Sequence, residues 1–86
     1  MVKVEKVIVT ERFERDIKKL KNGALKRKIK KQIKKLIQHP YIGKSLRYSL
    51  KGERSIHVKP FRLIYKIDGE KLILLRFEHR KKVYKS

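Results

Sequence analysis

The 86 residues contain no cysteine and no tryptophan, and only two prolines and one methionine. Without cysteine the chain has neither a disulfide framework nor a thiolate zinc site to supplement its core, which fits a reducing compartment. Long apolar runs are missing as well, and none approaches the roughly 18 to 20 residues that span a bilayer. The opening residues Met1, Val2, Lys3, Val4 and Glu5 lack the apolar stretch of a secretory signal. A soluble, cytoplasmic protein is therefore expected. The scarcest commodity is negative charge, with 8 Asp+Glu against 27 Lys+Arg. Among so few acids no paired carboxylates or ligand cluster are evident, so neither a metal nor a cofactor is expected.

What is present follows from that imbalance. The net charge of +19 lies far outside the magnitude of about 2 to 8 that keeps a small domain soluble. Such self-repulsion opposes the compact state, so an anionic partner is its natural explanation. Nucleic acid comes first, because cations along a phosphate backbone gain affinity by counterion release without reading sequence. A membrane surface and an acidic protein are the alternatives. A thermophile's charged surface is a further reading, but it ordinarily carries matching Glu, which is absent here.

A chain of this length has room for one domain and one modest core, and 1–86 reads as a single unit without repeats or linkers. Val2, Val4, Val7, Ile8 and Val9 suggest a first strand. Thr10 then has the character of an N-cap, with Glu11 favourably placed in the first turn. Phe13, Ile17 and Leu20 recur at helical spacing, and Asn22-Gly23 reads as the stop of that helix. From Ala24 to about Gln38, Leu25, Ile29, Ile33, Leu36 and Ile37 form one apolar stripe in a lysine-rich segment that Pro40 ends. The two helices should form an antiparallel hairpin whose apolar faces need a sheet to cover.

That sheet is expected downstream. Leu46, Tyr48 and Leu50 alternate, as do Ile56 and Val58, and Phe61, Leu63, Tyr65 and Ile67 alternate with Arg62, Ile64, Lys66 and Asp68. Asp68-Gly69 signals a hairpin. Leu72, Ile73, Leu74 and Leu75 are apolar at both parities, which suggests a central strand covered on both faces. The fold class is α+β: an N-terminal strand, a two-helix hairpin, then an antiparallel meander.

Alternation sets Arg62 on the face opposite Phe61, Leu63 and Tyr65, where it either packs its stem on neighbours or receives an anion. His57 and Lys59 flank Val58 on the preceding strand, within cross-strand reach of Arg62. Histidine titrates near neutrality and is able to move protons in phosphodiester cleavage, although a strand histidine is commonly just solvated. After the central strand come Glu78, His79, Arg80, Lys81, Lys82, Val83 and Tyr84. Tyr84 either anchors the tail or stacks on a base, and Arg80 is suited to stabilising a pentacoordinate phosphate.

Gly52, Arg54-Ser55-Ile56, Phe61-Arg62-Leu63-Ile64-Tyr65, the hairpin, and His79-Arg80 followed by Val83-Tyr84 resemble, in order and spacing, the RelE toxins of the RelE/ParE superfamily. The likeness spans nearly the whole chain. It implies a ribosome-dependent mRNA endonuclease in which the 2′-OH attacks the adjacent phosphate without a metal, and an acidic, RelB-like antitoxin as partner. By the resemblance, Arg62 and Arg80 stabilise phosphate, and Tyr84 stacks on the nucleotide or acts as general base. On this reading His57 or a lysine supplies a proton, Arg54 and Lys59 contact RNA, and the lysine-rich second helix, with Lys26, Lys30 and Lys34, docks on ribosomal RNA. Glu78 departs from the family, standing where glycine is common. Two other readings stay open: a gyrase-directed toxin of the ParE branch, and a non-catalytic basic nucleic-acid-binding protein.

Overall fold

The computed structural model describes residues 3–46 and 52–79. In chain order these form β1 (Lys6–Val9), α1 (Glu11–Lys18), α2 (Gly23–Gln38), β2 (Lys44–Ser45), β3 (Arg54–Val58), β4 (Phe61–Asp68) and β5 (Lys71–His79). The strands make one sheet in the order β1-β5-β4-β3-β2. From β2 to β5 every pairing is antiparallel, but β1 joins the edge of β5 in parallel, with Lys6 opposite Lys71 and Val9 opposite Leu74. Val2, Tyr48 and Leu50 of the expected strands lie outside the described residues. No helix among the described residues is long and apolar enough to cross a membrane.

Thr10 caps α1 as its sequence context suggests, its hydroxyl accepting the Phe13 N–H at 3.1 Å. Asn22 does the opposite of what was expected of it. Helix α1 ends at Lys18, and Asn22 opens α2, its side-chain oxygen accepting the Leu25 N–H at 3.1 Å. Asparagine is favoured at both ends of helices, and here the unpaired N–H groups at the start of the longer helix claim it. Gly23 is accordingly the first residue of α2 and terminates nothing.

Strand β5 holds the second difference. Its register against β4 slips between Ile64 and Tyr65: Ile64 faces Arg76, but Tyr65 faces Leu74, so Leu75 is left over as a β-bulge. Leu72 and Leu74 therefore share the helix-covered face with Phe77, although 74 and 77 differ in parity. Strand β5 is central, between β1 and β4, as its apolar run suggests; Ile73 lies on the face opposite Leu72 and Leu74, and Leu75 falls at the bulge.

One face of the sheet carries Val58, Leu63, Tyr65, Leu72, Leu74 and Phe77 against Phe13 of α1 and Leu25, Ile29 and Leu36 of α2. Full burial of each large apolar side chain contributes about 1.5–3 kcal/mol. Helix α1 also guards the edge of β5 beyond the last pairing with β1. The Thr10 hydroxyl lies 2.8 Å from the Leu74 carbonyl and 2.9 Å from that of Leu75, and the Asp16 carboxylate accepts the Phe77 N–H at 3.0 Å. Backbone groups that would otherwise stand as an open strand edge are thus satisfied by helix side chains.

Candidate functional site

Among the described residues no helix lies over the opposite face of the sheet, although Ser55 and Ile64 on it are buried. Residues directly opposed on neighbouring strands point to the same side, and here the pairing aligns His57, Arg62 and Glu78 in one row across β3, β4 and β5. The next row is Ser55, Ile64 and Arg76. Arg62 is half-buried; its Nη2 donates to the Ser55 hydroxyl at 3.3 Å, and its buried Nε has no protein partner. His57 is exposed beside it.

Arg76 is held by two carboxylates. Its Nε lies 2.8 Å from Glu78 Oε1, and its Nη2 lies 3.0 Å from Glu53 Oε1. Burial disfavours the guanidinium charge, but the two glutamates outweigh it and raise the affinity of Arg76 for its proton. Arg12 of α1 reaches Glu78 Oε1 at 3.6 Å and Asp16 at 3.7 Å. A cleft of about 160 Å³ opens beside this network, lined by Arg12, Asp16, Phe61, Phe77, Glu78 and His79 among others. Phe61 stacks on Phe77 with ring centroids 4.9 Å apart, and His79 meets Phe61 edge-on at 5.3 Å.

The other residues singled out from the sequence are dispersed. Arg54 faces the helix side, where it donates to the Gly43 carbonyl at 2.8 Å and lies 4.9 Å over the Tyr41 ring. Lys59 sits in the turn between β3 and β4, preceding Pro60 through a cis peptide bond. It lines a cleft with Lys21 and Lys28 at the junction of the helices, away from the row that contains Arg62. Lys26, Lys30 and Lys34 project into solvent from α2 at successive i,i+4 positions. Arg80 and Tyr84 lie outside the described residues. No group of three or more His, Cys, Asp or Glu side chains among the described residues is placed to hold a metal ion.

Counting alternation along β5 missed Arg76 and Glu78 as members of the open face. The available signal was their charge: they share parity with Leu72 and Leu74, yet charged side chains under the helices are costly, which points to a change of phase between 74 and 76.

A search of curated proteins gives no match. The family model described as the ParE toxin of a type II toxin–antitoxin system, parDE, matches residues 7–84. Among solved structures, the chain is similar to one in the RelBE2 toxin–antitoxin complex of Mycobacterium tuberculosis. The two are 32% identical with a TM-score of 0.73, over 87% of this chain and 96% of that one. A chain of the Escherichia coli DinJ–YafQ complex is 26% identical, with a TM-score of 0.72 over 91% and 96% of the two chains. The RelB–RelE complex of Methanococcus jannaschii, at 21% identity, a TM-score of 0.71 and coverage of 90% and 94%, supports the fold alone. Helices on one side of the sheet, the row of His57, Arg62 and Glu78 on the other and a match over almost the entire length converge: the chain belongs to the ParE toxin family of type II toxin–antitoxin systems and is a RelE-like toxin.

Proposed function

We propose that this toxin is a ribosome-dependent mRNA endonuclease that inhibits translation and is neutralised by an acidic, RelB-like antitoxin. The observation that carries the reading is Arg62, a half-buried arginine on the sheet face away from the helices, with an Nε that has no partner among the described residues and an exposed histidine directly across the ladder. A guanidinium fixed in this way is preorganised to receive a phosphate and to stabilise the charge that grows on it in the transition state.

In the proposed reaction the 2′-oxygen attacks the adjacent phosphorus and the bond from phosphorus to the 5′-oxygen breaks. The 2′-proton leaves to a base, and the departing 5′-oxygen gains one from an acid. Arg62 and Arg80 hold the phosphorane, Tyr84 stacks on a base or takes the proton, and His57 is the proton source. The α2 lysines and Lys59 serve as sequence-independent contacts to RNA. The chain's similarity to toxins solved with DinJ and RelB antitoxins supports an antitoxin partner for this chain.

Primer extension of an mRNA on programmed ribosomes tests the proposal. Cuts phased to codons on ribosomes and absent on free RNA are expected, with Arg62→Ala and Arg80→Ala each reducing cleavage by about 10²-fold or more. The ParE family match gives a gyrase-directed toxin its own support. That reading predicts gyrase poisoning with the mRNA left intact.

A further inference from the structure

Resting on the nuclease reading, we propose that Glu78 is the general base of the cleavage and His57 its general acid, with the scissile phosphate held between them on Arg62. The three residues occupy a single row across adjacent strands on the open face. Glu78 and His57 are therefore two strand spacings apart, about 9.5 Å between backbones. That gap accommodates a phosphate with a hydrogen bond of about 2.6–3.2 Å on either side. In-line displacement needs this arrangement, because the attacking and leaving oxygens lie on opposite sides of the phosphorus.

The contacts of Glu78 fix its orientation. Both arginine contacts, from Arg76 Nε at 2.8 Å and Arg12 Nη2 at 3.6 Å, fall on Oε1, which leaves Oε2 as the oxygen for a ligand. Arg76 is itself fixed on its far side by Glu53, so the carboxylate is braced by a group that cannot easily swing. Glu78 also borders the cleft lined by Phe61 and Phe77 on the helix side, so the ribose approaches it from the other side, along the face that carries Arg62 and His57. The charged groups facing Glu78 are Arg76 on its own strand, Arg62 across on β4, and Arg12 from α1 with its partner Asp16. His57 faces Arg62, with Lys44 of β2 one row along opposite Ser55.

The proton balance closes without a further reactant. Glu78 takes the 2′-proton as the bond from the 2′-oxygen to phosphorus forms. The bond from phosphorus to the 5′-oxygen breaks as the His57 imidazolium gives that oxygen its proton. The products are a 2′,3′-cyclic phosphate and a 5′-hydroxyl, and exchange with water returns both side chains to their starting states. Tyr84 is then left as a stacking platform.

The test is the pH profile of ribosome-dependent cleavage, measured under single turnover for the wild type, Glu78→Gln, Glu78→Asp, His57→Ala and, as a control, Glu14→Gln at an exposed carboxylate of α1 that pairs with Lys18. Gln retains the oxygen that accepts from Arg76 but cannot take the proton. Glu78→Gln is expected to slow cleavage by about 10²–10⁴-fold and to abolish the rise of rate with pH on the acid side. Glu78→Asp should fall between, and Glu14→Gln, away from the row, should stay within about threefold of wild type. A substrate with sulfur in place of the scissile 5′-oxygen has a leaving group that needs no proton, so it should restore His57→Ala and leave Glu78→Gln slow. If Glu78→Gln is as active as Glu14→Gln, or is slowed with the acid-side rise intact, Glu78 is only a brace for Arg76. Failure of the sulfur substrate to rescue His57→Ala removes histidine as the acid. A wild-type protein that leaves mRNA uncut overturns the nuclease reading itself, an outcome distinct from the loss of Glu78 alone.

Discussion

Tyr65 shows how much of the fold depends on single polar atoms in an apolar setting. Its side chain is fully buried, yet its hydroxyl donates to the Pro40 carbonyl at 2.7 Å and accepts the Gly43 N–H at 3.1 Å. The loop after α2 is thereby pinned to the sheet, and Gly43 fits because a Cβ there would stand 2.5 Å from the tyrosine oxygen and 2.8 Å from the Ser55 carbonyl. Tyr65→Phe should cost about 1–3 kcal/mol in denaturant titration, since it leaves a buried donor and acceptor unpaired. Desolvation by burial raises the phenol above its ordinary value of 10.0, outweighing the opposing effects of the Gly43 hydrogen bond and the Arg54 charge. The sign of the pH dependence follows from the unfolded chain losing this proton first. Stability is whole below about pH 10 and falls as pH rises toward the folded-state value. Subtracting the Tyr65→Phe curve from the wild-type curve above pH 9 should isolate that decline from lysine titration.

At the scale of elements, Thr10 is worth more than an ordinary cap. Its hydroxyl accepts from Phe13 to start α1 and donates toward the carbonyls of Leu74 and Leu75, where the bulge forms. Thr10→Val, nearly isosteric, should destabilise by about 2 kcal/mol in urea, against about 1 kcal/mol for Asn22→Ala, which removes a cap and nothing else. Comparable losses for the two would show that the helix and the bulge are energetically separate. These two positions also mark what the chain's pattern reveals. Thr10 and the alternation in β4 could be read directly, because a cap before an amphipathic run and a period of two each have one physical meaning. The row member Arg62 and its neighbour His57 were legible for the same reason. Asn22 was read at the wrong helix, since a residue between two helices is able to serve either. Glu78 was read on no face at all, because counting by twos fails across the extra residue at Leu75. The parallel pairing of β1 with β5 leaves no local trace, being a contact between segments remote in the chain.

For the molecule as a whole, the proposed contact with RNA would draw both its affinity and its dependence on salt from the +19 charge. Lys26, Lys30 and Lys34 lie along one side of α2 in solvent, so replacing all three by Gln should lower RNA affinity and flatten the plot of log K against log salt by about two units. Cleavage of RNA already bound should change little. If the slope stays the same in filter binding from low to moderate salt, α2 does not lie against the backbone.

The parallel strand has a temporal side too. During synthesis Lys6–Val9 emerge early, but their partner is Lys71–Leu74, and the carbonyls that Thr10 engages and the N–H that Asp16 accepts belong to Leu74, Leu75 and Phe77. Both helices must therefore wait, with their apolar sides unpaired, until the C-terminal hairpin has been made. The row of His57, Arg62 and Glu78 is assembled in the same late step, because its last member lies on that same strand. The proposed cleavage row therefore cannot form before β5 has joined the sheet, and the topology delays it relative to the synthesis of both helices.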